Sequence, residues 1–161
     1  MLAVVLVSGV GLTPVAILRV TSPDRAIATC SVVRRGDTIT LIFRNSMFGG
    51  DVRETFEVSG DQALMRTRVI TENAASADYY AWDGRVLPVE GGFQVVVPPQ
   101  PFADLTIRVD QVGRPRLRIG DREIALFSQL QDSRSTAVRL DVVREPLVSR
   151  IVSTFGPGGD C

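Results

Sequence analysis

The chain has 161 residues, with 18 acidic and 18 basic side chains, no histidine, and no lysine, every basic residue being arginine. Without imidazole there is no Ser-His-Asp or Cys-His couple and no histidine-ligated metal; without lysine there is no Schiff base and no P-loop. A formal charge of zero gives nothing to steer the chain toward phosphate backbones, so nucleic acid is not an expected partner.

An apolar fraction of 45% built on valine, leucine, isoleucine and alanine is enough for one core, and those residue types favour strands. In chain order, the first feature is the uncharged run Leu2–Leu18. Three readings fit it: a secretory apolar region, an uncleaved membrane anchor kinked at Pro14, or a pair of buried strands turning near Ser8, Gly9, Gly11 and Pro14. Export or anchoring is the working expectation, with residues 1–18 as a signal-like or anchor segment, 19–152 as the folded domain and 153–161 as a flexible tail. From Ala26 onward, short segments with period-two alternation alternate with Gly-Asp, Asp-Gly or Gly-Gly turns. The expected strands are Ala26–Val33, Thr38–Arg44, Val52–Ser59, Ala63–Thr71, Tyr79–Trp82, Phe93–Val97, Leu105–Asp110, Arg116–Ile119, Glu123–Phe127, Thr136–Val143 and Leu147–Val152. Glu72–Ala77 is the one helix candidate, too short to carry weight, and Pro98–Pro101 reads as a connection between sheets. The expected fold is all-β: a single antiparallel β-sandwich or partly open barrel.

Side-chain phase marks the core. Ile39, Leu41 and Phe43 share one face of their strand, as do Leu105, Ile107 and Val109, Leu117 and Ile119, and Val138, Leu140 and Val142. Arg108, Arg116, Arg118, Arg139 and Asp141 then fall on the opposite, solvated face, where cross-strand ion pairing is the simplest account of them. Arg35-Gly36-Asp37 reads as hairpin chemistry.

The least expected residue is Glu54, which shares its strand face with Val52, Phe56 and Val58. A carboxyl among apolar neighbours either rises in pKa or meets an arginine, and Arg44 is the candidate partner. Glu54 with Arg44, Asn45 and Ser46 forms a candidate polar cluster. Tyr79, Tyr80 and Trp82 are candidate ligand or interface aromatics. Cys30 and Cys161 are either a disulfide pair or a strand cysteine and a thiol on a Gly-Pro-rich tail.

The run Thr38-Ile39-Thr40-Leu41-Ile42-Phe43-Arg44-Asn45-Ser46, followed by Glu54-Thr55-Phe56-Glu57-Val58, resembles the opening of the bacterial domain-of-unknown-function family numbered 1850. There a strand ends in His-Ser and a glutamate follows on the next strand. The similarity extends to Leu18-Arg19-Val20 and to Leu117 through Leu126. It implies a small exported β-domain, periplasmic or membrane-tethered, often encoded beside transporters of the tripartite ATP-independent type. This chain carries Asn45 where the family carries its histidine. The leading expectation is therefore a non-enzymatic accessory or interaction domain at the extracytoplasmic face, held by residues 1–18 and a membrane-protein partner, with no catalytic residue, metal or cofactor. The alternatives are a structural subunit of a larger membrane complex and a small-ligand-binding β-barrel using Glu54 and the Tyr79–Trp82 aromatics.

Overall fold

A computed structural model describes residues 14–23, 25–60, 62–81, 84–130 and 136–146. Its strands are β1 (Pro14–Ser22), β2 (Arg25–Val33), β3 (Thr38–Arg44), β4 (Asp51–Val58), β5 (Leu64–Thr71), β6 (Arg85–Val89), β7 (Gly92–Val96), β8 (Gln100–Phe102), β9 (Asp104–Val109), β10 (Arg116–Ile119), β11 (Arg122–Ala125) and β12 (Thr136–Pro146). Helix α1 (Ala74–Ala81) lies between β5 and β6, and the single turn α2 (Leu126–Gln129) follows β11. The strands form two antiparallel sheets, one in the order β2-β1-β12-β9 and the other β11-β10-β3-β4-β5-β7-β6, with β8 also pairing β5. This is the sandwich alternative of the expected all-β class.

The sheets meet through one apolar cluster to which both contribute. Leu18, Val20, Ile107, Val138, Leu140 and Val142 come from the smaller sheet, and Ile39, Leu41, Phe56, Leu64 and Leu117 from the larger. The predicted inward faces of β3, β9, β10 and β12 are the faces that pack here, because alternation on a strand with one wet side leaves one solution for register. The arginine face is divided between the two sheets. Arg116 and Arg118 lie outside the larger sheet, where they pair with Asp51 and Glu123; Arg139 lies outside the smaller, paired with Asp104 at 3.0 Å. Ile42, also on the outer face, is only 2% exposed, flanked in register by Arg116 and Arg53, whose long aliphatic stems suit that role.

Three expectations change. Residues Pro14–Leu18 belong to β1, an inner strand between β2 and β12, so the sandwich begins before residue 19 and this part of the apolar run forms sheet. Ile17 and Leu18 point to opposite faces and are both buried, which explains why the run lacks polar alternation. The rest of that run, and the tail from residue 147 with the expected Leu147–Val152 strand, lie outside the described residues. Among the described residues no helix is long and apolar enough to cross a membrane.

Second, Tyr79 and Tyr80 sit on α1 and not on a strand. Asn73 caps the helix: its Oδ1 accepts the backbone N–H of Ala75 at 2.9 Å and of Ser76 at 3.4 Å, satisfying donors that a helix start leaves open. The alanine-rich run that follows is a better helix than its aromatic end is a strand. Third, Glu123–Phe127 ends as a strand at Ala125, where Leu126 turns inward into α2.

The Pro98–Pro101 connection does lead between sheets, but Gln100–Phe102 first pair with Leu64–Arg66 of β5. At Arg34–Asp37 the Asp37 carboxylate accepts the Arg34 backbone N–H at 2.8 Å and Gly36 takes φ 88°, so a turn stands where expected, but it is not a hairpin, because β2 and β3 belong to different sheets.

Candidate functional site

Between the sheets, at the end of β3, the core opens into a cavity of about 400 Å³. Its floor is made by Leu41, Phe43, Glu54 and Phe56 of the larger sheet, and Leu105 and Ile107 of the smaller close the other side. The segment Arg44–Phe48 and the tyrosines of α1 form its mouth. The cavity brings together two groups that the sequence presents separately: Arg44, Asn45, Ser46 and Glu54 on one side, Tyr79 and Tyr80 on the other. Trp82 lies outside the described residues.

Glu54 reaches the cavity because alternation carries it inward between Val52 and Phe56. Its cationic neighbour is Arg66, with Nη1 4.0 Å from Oε2, and not Arg44, which lies on the exposed end of β3. The pairing depends on a β-bulge. In β5, Val69 faces Glu54 in register, and the shift at Thr55/Phe56 then turns Arg66 and Leu64 inward in place of Thr67 and Met65. Arg66 is held from its far side as well: its Nη2 donates to Gln100 Oε1 at 2.9 Å, and its guanidinium stands 5.4 Å from the Phe102 ring centre.

Burial raises the Glu54 carboxyl above its ordinary 4.5, while the Arg66 charge pulls the other way without cancelling the effect. The Tyr80 phenol is pushed up to about 12, first by burial and then by the charge of Glu54 and by Tyr79, against Arg66. Both groups therefore disfavour the ionised state, as expected where apolar walls replace water.

The mouth is tied together by amides. Asn45 Oδ1 accepts the backbone N–H groups of Met47 and Phe48, both at 2.9 Å, and its Nδ2 donates to Ser76 Oγ at 3.2 Å. Asn73 answers from the helix, its Nδ2 donating to the Phe48 carbonyl at 3.0 Å. Asn45 is thus committed to holding the loop on α1. The aromatic rim follows from this connection: Phe48 and Tyr79 have ring centres 5.9 Å apart, and Tyr79 stands edge-on to Tyr80 at 5.7 Å. Ser46 and Met47 are exposed at this rim.

A second groove of about 650 Å³ adjoins the first, sharing Arg44, Gly113 and Pro115. Its Arg116 and Asp51 are paired with each other at 3.0 Å, so it offers less uncommitted chemistry than Glu54 does. Cys30 lies on β2, 6% exposed, and is disulfide-bonded, which overturns its reading as an unpaired strand cysteine; Cys161, its partner in the alternative reading, lies outside the described residues. Among the described residues no cluster of acidic and cysteine side chains suits a metal ion.

Arg66, Phe48, Asn73 and the β9 wall are the parts of this site that sequence reasoning missed. Asn73 had a readable signal, a capping residue before an alanine-rich run; Arg66 had none, since a bulge is invisible to strict alternation. No protein-family model matches the chain, and neither a curated protein nor a solved structure matches it.

Proposed function

We propose that this β-sandwich is a small-ligand-binding module that takes an amphipathic molecule into the cavity between its sheets and holds it without turnover. The observation that carries the reading is Glu54: a carboxyl 14% exposed, set among Leu41, Phe43, Phe56 and Ile107 and open to a cavity of about 400 Å³. A carboxyl kept solely for stability does better packed against its cation or exposed to water. Pockets that take small molecules have this composition, mostly apolar walls with one or a few fixed polar groups, and lie in the same size range. Binding is the simpler reading, since apolar walls around one carboxyl are what holding an amphipathic molecule requires.

The test is native mass spectrometry of the protein purified from its own host, combined with thermal-shift screening against metabolite classes. A bound mass and stabilisation by one class are expected. A ligand-free mass with no stabilisation by any class would overturn the reading.

A second reading keeps the domain as an envelope accessory module. It is favoured by the apolar rim, where Met47 is 73% and Tyr79 60% exposed, and by the resemblance of Thr38–Ser46 to family 1850. Membrane fractionation of the native host tests it. Recovery with a stoichiometric membrane partner supports it, and recovery as a free soluble protein removes it.

A further inference from the structure

The charged groups around the cavity are unevenly committed. Arg108 is directed to solvent, its side chain 77% exposed, and pairs with Asp110 at 3.0 Å. Asp110 also accepts the backbone N–H groups of Val112 and Gly113, at 3.0 and 2.7 Å, so it is spent on its loop. Arg44 is exposed at the mouth. Arg66 approaches Glu54, is bound to Gln100 through Nη2 and stacked near Phe102, and keeps its buried Nε without a hydrogen-bond partner among the described residues, but it is not part of the cavity lining. Among the described residues no hydrogen-bond donor reaches either oxygen of Glu54, although its side chain is mostly withdrawn from water. A carboxylate in that position lacks donors, and a ligand that supplies them relieves the cost of its burial.

The rings define the rest of the ligand. Phe43 and Phe56 line the floor beside Glu54, while Phe48, Tyr79 and Tyr80 line the mouth. Aromatic faces and a carboxylate share one kind of complement, a cation with apolar substituents. A neutral ligand would leave Glu54 with the Arg66 charge alone, which at 4.0 Å does not offset the carboxyl's burial, and an anionic one would oppose the carboxylate in a low-dielectric setting.

Resting on the ligand-binding reading above, we propose that the cavity selects a small organic cation, a primary ammonium ion with a short aromatic or aliphatic body. Its N–H groups meet Glu54 and its apolar part lies between Phe43, Phe56 and Ile107. The groups facing Glu54 are Arg66 from β5 and Tyr80 from α1; Tyr79, Arg44, Arg108 and Asp110 line the rest of the cavity and its edge. Because the ammonium ion requires ionised Glu54, which burial otherwise disfavours, binding releases protons and tightens as pH rises through the Glu54 titration.

The test uses three probes of nearly equal shape: phenethylamine, 2-phenylethanol and phenylacetate, titrated by calorimetry and amide chemical shifts. Phenethylamine is expected to bind at least about tenfold more tightly than the alcohol, with phenylacetate weakest. Its affinity should rise as pH increases above the ordinary carboxyl value of 4.5 and level off once Glu54 is ionised, while that of the alcohol stays level. In Glu54→Gln the amine's advantage should shrink to about twofold or less, with retained alcohol binding showing that the cavity is intact. Equal affinity for amine and alcohol, or a preference for phenylacetate, would overturn the cation assignment and leave the binding reading standing. Absence of binding by all three would count against both. Should Glu54→Gln fail to fold, the pH dependence in the unaltered protein decides alone.

Discussion

Glu54 and Arg66 approach each other diagonally from adjacent strands to 4.0 Å, close enough for attraction and too far for a hydrogen bond. Desolvation consequently outweighs the Arg66 charge, and the carboxyl's pKa is raised in the folded chain. A group whose folded-state pKa lies above its unfolded 4.5 contributes its stability in full below that value and loses it as pH rises through the folded-state value. Glu54→Gln does not titrate. The variant is therefore expected to match the parent near about pH 4 and to become progressively more stable than it toward neutral pH, as measured by urea unfolding across that range. A variant that is less stable at neutral pH and equal at low pH would show that the Arg66 attraction wins.

Asn45 gives the second prediction. Its amide accepts two loop N–H groups and donates to Ser76, which is 1% exposed, so a single side chain fixes the Arg44–Phe48 loop to α1. Asn45→Ala is expected to cost about 1–2 kcal/mol in chemical denaturation. It should also abolish the contacts between the Phe48 and Tyr79 rings seen by nuclear Overhauser effects. An unchanged ring contact would mean that Asn73, bonded to the Phe48 carbonyl, suffices on its own.

How far the sequence reached can be judged residue by residue. Period-two alternation located β3 and β10 to the residue and chose the buried face of β9 and β12, since a one-residue slip would have exposed Leu140 or Ile107. It also turned Glu54 inward. It could not reach Arg66, because the bulge at Thr55/Phe56 reverses the phase of β5 partway along. At Pro14–Leu18 it favoured a membrane segment over the buried-strand alternative that the structure shows, because a strand buried on both faces has no alternation and looks like a membrane segment. The sequence marks Tyr79 and Tyr80 as site residues but gives them strand character; the cavity needs the side chains, and α1 supplies them as well as a strand would.

Glycine at the β6–β7 hairpin yields a third prediction. Gly92 has φ 143°, and a Cβ there would collide with the Thr71 carbonyl oxygen of the neighbouring strand. Gly36 also has positive φ, at 88°, but open space where its Cβ would be. Gly36→Ala should therefore cost about 1 kcal/mol from conformation alone, and Gly92→Ala clearly more, because the backbone of β5 must also move. The two midpoints in thermal unfolding give the comparison; equal shifts would mean that β7 relaxes away from Thr71 without penalty.

The last prediction concerns the seam between the first and last described strands. Arg19 holds Asp141 with two hydrogen bonds, Nε to Oδ1 at 3.1 Å and Nη2 to Oδ2 at 2.9 Å, and the Asp141 side chain is only 9% exposed. Arg139 pairs with Asp104 at 3.0 Å and stands 3.8 Å from Asp141 Oδ2, but is itself 59% exposed. A bidentate pair whose carboxylate is withdrawn from water keeps more of its strength in salt, even with the Arg19 side chain 30% exposed, whereas a mostly exposed pair is screened and costs side-chain entropy to hold. Asp141→Ala should cost on the order of 2 kcal/mol, since it leaves the Arg19 guanidinium without its partner between β1 and β12. Arg139→Ala should cost at most about 1 kcal/mol, and that cost should vanish in about 1 M salt while the cost of Asp141→Ala persists. Urea titrations of both variants at low and high ionic strength separate the two cases. If the Asp141→Ala penalty also disappears in salt, the seam is held by the apolar pairs Leu18, Val20, Leu140 and Val142, and the ion pair only decorates it.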